Sequence, residues 1–127
     1  MRKRYPLIQI GLPISFILEG QAFCLTTSEL SHEEVRVNCR ASEIPKLVPR
    51  TAHHRPDEKI LHRALVELGN DETLELELQV SFCRRYSQKE FKVGFQIKQL
   101  RDDQQETLQQ RLEQALSDKA QPVSFIN

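Results

Sequence analysis

The sequence has no apolar run approaching the roughly 20 residues needed to cross a bilayer, so no membrane-inserted helix is expected within it. It also has no net charge, because 18 Lys and Arg offset 18 Asp and Glu. No overall field is available to draw in nucleic acid or an anionic membrane, and any anion must be held by a local cluster. Cysteine is scarce and odd in number: Cys24, Cys39 and Cys83 are widely spaced and form no CxxC pair. That excludes a disulfide framework. Reduced thiols of a cytoplasmic protein are expected, with at least two of the three serving as small core fillers. Neither C-x₂₋₄-C nor H-x₃₋₅-H occurs, so His32, His53, His54, His62 and the cysteines do not mark a zinc site. The adjacent Ser31-His32 reads as a turn. No nucleophile, base and oxyanion donor are marked together, so no catalytic residue is assigned and the chain is not expected to be an enzyme.

What is present suits one soluble domain spanning 1–127, with 39% hydrophobic and 28% charged residues. A basic lead occupies 1–12, opening Met1-Arg2-Lys3-Arg4-Tyr5-Pro6. Gln9, Pro13, Glu19 and Gln21 interrupt the apolar residues after it, which favours a lead-in to a first strand over a signal peptide.

The β-rich run Pro13–Leu18 ends at Glu19-Gly20, a plausible hairpin turn, and the chain restarts at Gln21–Thr27. Ser28–Glu34 is polar and turn-like. Val35-Arg36-Val37-Asn38-Cys39 alternates as a half-buried strand should. Residues 40–57 form a long loop broken by Pro45, Pro49 and Pro56, with a short extended piece at Ile44–Val48. Ile60–Leu68 fits a helix by its Ile60, Leu61, Ala64, Leu65 and Leu68 face, or a strand turning at Gly69-Asn70-Asp71. The long alternation of Leu74–Phe82 needs a neighbour and favours the strand. After a turn at Tyr86–Glu90, Phe91–Ile97 alternates again. A helix over 103–119 comes next, with Leu108, Leu112, Ala115 and Leu116 on one face and Pro122 beyond its end. Val123–Ile126 is an apolar tail. Antiparallel strands with one terminal helix hide their edges best in a small barrel with the helix over one opening.

Three stretches resemble the PilZ domain family: the basic start Arg2–Pro6; Glu29-Leu30-Ser31-His32-Glu33-Glu34 before Val35-Arg36-Val37; and Val80–Arg85, a turn, then Phe91–Ile97 with Val93-Gly94-Phe95 and a polar Leu-rich helix. The resemblance implies a mainly β fold, a six-stranded antiparallel PilZ-like β-barrel with a C-terminal α-helix. It implies cyclic di-GMP as a regulatory ligand, with no other cofactor. Family members hold it with Arg-x-x-x-Arg before the barrel and Asp/Asn-x-Ser-x-x-Gly on it. Guanidinium forks grip phosphate and guanine bidentately, and the glycine admits the ligand close to backbone.

This chain departs from both elements. Lys3 and Leu7 stand at the two arginine positions, so the fork is lost at each. Glu29 stands for the short Asp/Asn, Ser31 matches, and Glu34 replaces the glycine. Added carboxylates and lost charge-assisted contacts each weaken an anion by a kcal/mol or more, where about 1.4 kcal/mol is tenfold. The resemblance therefore implies a non-catalytic bacterial signalling adaptor, acting through a protein partner of a motility, adhesion or secretion system, including biofilm control. Its alternative is a cyclic di-GMP receptor with an atypical site from Arg2, Lys3, Arg4, Glu29, Ser31, Glu34 and Arg36, with Arg40 a further phosphate candidate.

Overall fold

A computed structural model describes residues 6–49 and 59–120, the side chains of the last three excepted. The strands are β1 (Ile8–Gln9), β2 (Pro13–Leu18), β3 (Gln21–Leu30), β4 (Glu34–Arg40), β5 (Leu61–Gly69), β6 (Glu72–Arg85) and β7 (Glu90–Gln99). A 3₁₀ turn at Ala41–Glu43 leads into the one-turn helix α1 (Ile44–Leu47), and the long helix α2 (Asp102–Ala120) comes after β7.

Every pairing is antiparallel, in the order β1-β3-β2-β5-β6-β7-β4, and a further β3–β4 pairing closes β2–β7 into a six-stranded barrel. β1 stands outside the closure and pairs only with the end of β3, Gln9 opposite Glu29 and Ile8 opposite Leu30. The tight turns have the backbone their residues favour. Glu19 and Gly20 both have positive φ, as do Asn70 and Asp71, the two-residue geometry whose twist suits a hairpin.

Alternation decides which side chains enter the barrel. Ile14 and Phe16, Val35 and Val37, Ala64 and Val66, Leu74, Leu76 and Leu78, and Val93 and Phe95 all point inward and are buried. Because the strands alternate in direction, α1 and α2 lie at opposite mouths. At one, the fully buried Leu47 of α1 closes the interior, and His62 Nε2 donates to its carbonyl over 2.7 Å. The His62 ring meets Phe16 and Phe95 edge-on, at 5.9 and 6.2 Å. At the other mouth Leu108, Leu112 and Ala115 of α2 are buried. Arg111 Nε donates to the Leu68 carbonyl (2.8 Å), and Gln104 Nε2 to that of Glu75 (3.1 Å).

The barrel, the Ile60–Leu68 strand and the terminal helix agree with the sequence reading. Other details do not. Ser28–Glu34 is not all turn: β3 runs on to Leu30, with a bulge between Thr27 and Glu29 that hides the alternation. Ile44–Val48 is not extended but helical. Pro45 sits in the first turn, where its missing N–H is harmless, and Glu43 accepts from the Arg40 amide at 2.8 Å. Only Cys39 is a core filler, since Cys24 and Cys83 are exposed. Burial first, then the charges of Glu43 and Cys83, pushes the Cys39 thiol from 9.0 up to about 11. Leu116 belongs to the apolar face of α2 by spacing yet is 47% exposed. The 50–57 portion of the loop, with His53 and His54, lies outside the described residues, as does the Val123–Ile126 tail.

Candidate functional site

The bulge in β3 brings the second motif-like stretch to one mouth of the barrel. Ser31 is buried, and its Oγ accepts from the amides of Glu33 and Glu34, both at 3.1 Å. Its own amide donates to the Glu34 carbonyl at 2.9 Å. The hydroxyl therefore builds the β3–β4 turn.

From that turn a charged face spreads outward over β3, β4 and β7. Register sets Glu29 opposite Arg36, and Arg36 opposite Gly94, with Lys92 two residues along β7. Glu29 Oε1 lies 2.7 Å from Lys92 Nζ and 3.9 Å from Arg36. Glu34 Oε2 lies 2.8 Å from Arg36 Nε. All four side chains are between 20 and 30% exposed, so these pairs are only partly screened by water.

The floor of the face is aromatic. The Phe82 ring lies across Gly94, where an added Cβ would meet its Cε2 at 2.1 Å. Arg36 and Arg84 stand over that ring at 5.2 and 5.3 Å from its centroid. No motif reading singled out Phe82 or Lys92 for this face, and Arg84 reads, with Arg85, as a strand-end arginine, an anion contact or a solvated charge. The Val93-Gly94-Phe95 signature was the available signal, since a glycine at an outward strand position marks a close approach.

Residues just before β2 run beside the end of β3. Thr27 Oγ1 accepts from the Leu12 amide (2.9 Å) and donates to the Ile10 carbonyl (2.6 Å), while β1 runs beside Leu30 and Glu29. The chain therefore enters β1 at the Leu30 end of the pairing, on the Ser31 side, and leaves it past Glu29. Arg2, Lys3 and Arg4 lie outside the described residues; Leu7, at the second arginine position, is half-buried. Glu29, Ser31, Glu34 and Arg36 are brought together, whereas Arg40 is exposed at the far end of β4. There it lines a cleft of about 850 Å³ with Ser42, Ser87 and Lys89. A broad groove of about 1020 Å³ lies elsewhere again, between β5–β6 and the start of α2. In it Arg101 hydrogen-bonds Asp103 and holds that carboxyl below its ordinary range. Among the described residues no group of three or more His, Cys, Asp or Glu could hold a metal ion, and no helix is long and apolar enough to cross a membrane.

A closed six-stranded antiparallel barrel with a helix across one mouth is the PilZ-domain fold. Solved structures bear this out. The PilZ domain of YcgR from Escherichia coli, described with c-di-GMP, is 14% identical, covers 96% of this chain and 99% of its own, and gives a TM-score of 0.61. The Bacillus subtilis inhibitor of motility MotI/DgrA is 12% identical with a TM-score of 0.67, and the c-di-GMP complex of K. pneumonia MrkH is 16% identical with 0.63. Each of these two covers 94% of this chain, which spans 53% of their length. No family model matches the sequence, and no curated protein does.

Proposed function

We propose that this chain is a non-catalytic signalling module of the PilZ type that works in the cytoplasm through protein contacts rather than by tight capture of cyclic di-GMP. One observation carries the reading. On the face where the family motif would present a short acid and a glycine, Glu29 and Glu34 pair with Lys92 and Arg36. Two carboxylates and two cations cancel there before any ligand arrives. A bis-phosphodiester would have to displace those pairs and lie beside their carboxylates, with no second arginine at Leu7 to offset the loss.

The partner fits a motility, adhesion or secretion system, the setting suggested by a neighbour described as an inhibitor of motility. A second reading, cyclic di-GMP reception by Arg2, Lys3, Arg4 and Ser31, is favoured by the pairing of β1 with the end of β3, which has Ile8 opposite Leu30, next to Ser31. Calorimetry with cyclic di-GMP at physiological salt separates the two. No heat is expected from the unaltered chain, and measurable binding from a Glu29→Asp, Glu34→Gly variant that frees Arg36 and Lys92. Micromolar or tighter binding by the unaltered chain, lost on Arg4→Ala, would establish the second reading instead.

A further inference from the structure

The charges of this neutral chain are spread unevenly along the barrel axis. At the strand ends and turns of the mouth that α1 closes, the described residues include the cations Arg40, Lys46, Lys59, Arg84, Arg85 and Lys89, against the carboxylates Glu19, Glu43 and Glu90. The opposite mouth has the other sign, with Asp71, Glu72, Asp102 and Asp103 around Arg101. Pairing sets the α1 mouth further apart. Arg36, Arg63 and Arg101 each meet a carboxylate. Among the described residues Arg40, Arg84, Arg85 and Lys89 meet none.

The surface is also held in shape. The Ala41 amide donates to the Lys89 carbonyl at 2.9 Å, which fastens the β6–β7 turn to the 3₁₀ turn. Ser87 Oγ accepts from the Lys89 and Glu90 amides at 3.3 and 3.0 Å. Arg85 Nε donates to the Ser87 carbonyl at 3.0 Å, so its charge is fixed at the tip. Between the two turns, the cleft of about 850 Å³ offers Arg40, Lys89, Ser42 and Gln88, with Glu90 the only carboxylate in its lining. Tyr86 stands 52% exposed on the same turn. Donors already in place lower the ordering cost of binding. Unopposed cations in such a cleft recognise carboxylate or phosphate oxygens. Two features favour carboxylates carried by a protein. Tyr and Arg are side chains enriched at protein interfaces. Zero net charge also denies a long polyanion a broad field, whereas a short acidic segment fits a local patch. Resting on the reading of the chain as a protein-contact module, we infer that the Ala41–Glu43 turn and the β6–β7 tip dock an Asp- or Glu-rich segment of the partner. That surface lies at the far end of β4 from Ser31.

Fluorescence anisotropy with a fluorescein-labelled oligoglutamate peptide tests this. Saturable binding that weakens with added salt is expected. Arg40→Glu and Lys89→Glu should each weaken it about tenfold, with circular dichroism confirming the fold. Lys98→Glu makes the same charge change about 25 Å along β7 from Glu90, beyond the screening length of about 8 Å, and should alter binding by less than about twofold. Should a variant fail to fold, amide shifts of the isotope-labelled unaltered chain supply a second measurement. On titration with unlabelled peptide they should move at Ser42, Ser87 and Lys89. Absence of binding at low salt overturns the inference, as does equal weakening by Lys98→Glu, or shifts confined to the α2 mouth. A thymidylate oligonucleotide that displaces the labelled peptide at lower concentration than unlabelled oligoglutamate also overturns it, in favour of nucleic acid. The titration contains no cyclic di-GMP, so its failure removes this surface without touching the case against nucleotide capture. Nucleotide binding in calorimetry would likewise leave a peptide-binding surface in place.

Discussion

The packing of Phe82 on Gly94 sets a sharp constraint. An alanine Cβ at 94 would fall 2.1 Å from Phe82 Cε2 and 2.6 Å from both Cδ2 and Cζ, so methyl and ring cannot share the site. The ring must swing off the strand and leave Arg36 and Arg84. Overpacking of this kind costs about 1–3 kcal/mol. Gly94→Ala would otherwise help, since an extended glycine carries an entropic penalty of about 0.5–1 kcal/mol relative to alanine. The two effects separate in a double-mutant cycle. Gly94→Ala alone should destabilise by about 1–3 kcal/mol. In a Phe82→Ala background it should be neutral or stabilise by about 0.5 kcal/mol, a coupling of about 1–3.5 kcal/mol. Urea titration monitored by circular dichroism measures both steps. A loss at Gly94→Ala that is the same with and without the ring would refute the clash, and would place the requirement for glycine in the backbone instead.

Further expectations rest on single contacts. Thr27→Val leaves the Leu12 amide and Ile10 carbonyl without their partner and should cost about 2–4 kcal/mol, with faster hydrogen exchange at Leu12; a loss below about 1 kcal/mol would show that Thr27 does not pin the lead. Ser31→Ala should lower stability by about 1–2 kcal/mol and speed exchange of the Glu33 and Glu34 amides, and unchanged exchange there would contradict the turn-building role. The Cys39 thiol sits at about 11 in the folded chain against an ordinary 9.0, so the unfolded chain releases a proton between those values that the folded one retains. Its contribution is nil below pH 9, and stability should fall by up to about 2–3 kcal/mol as pH rises through that window. Cys39→Ala should flatten that slope relative to the unaltered chain, and identical slopes would count against a buried neutral thiol.

Strict alternation made β6 and β7 legible, and the change of period after Gln99 placed α2 to within a residue at each end. Where the period was broken the reading failed. Two residues of β1 carry no period at all, and the bulge after Thr27 puts side chains out of phase, so Ser28–Leu30 looked like loop. The turn of α1 was hidden because Pro45 reads as a breaker unless it is known to sit in a first turn. Of the charged face, Glu29, Ser31, Glu34 and Arg36 were singled out only through the motif that the family resemblance supplies. Lys92, Phe82 and Arg84 join them only through strand register 46 or more residues away along the chain, and no local pattern encodes that (Arg36 to Phe82 being the shortest such step).

The stoppers at the two mouths also bear on evolvability. Leu47 fills one opening and Leu108 and Leu112 the other, so among the described residues the barrel interior is occupied by buried side chains. The charged face of Glu29, Arg36 and Lys92 lies on the rind, one side chain deep, and can be rewritten without disturbing the pit. A lineage with this architecture can therefore surrender one specificity and acquire another by exchanging a few outward residues while its folding chemistry stays fixed.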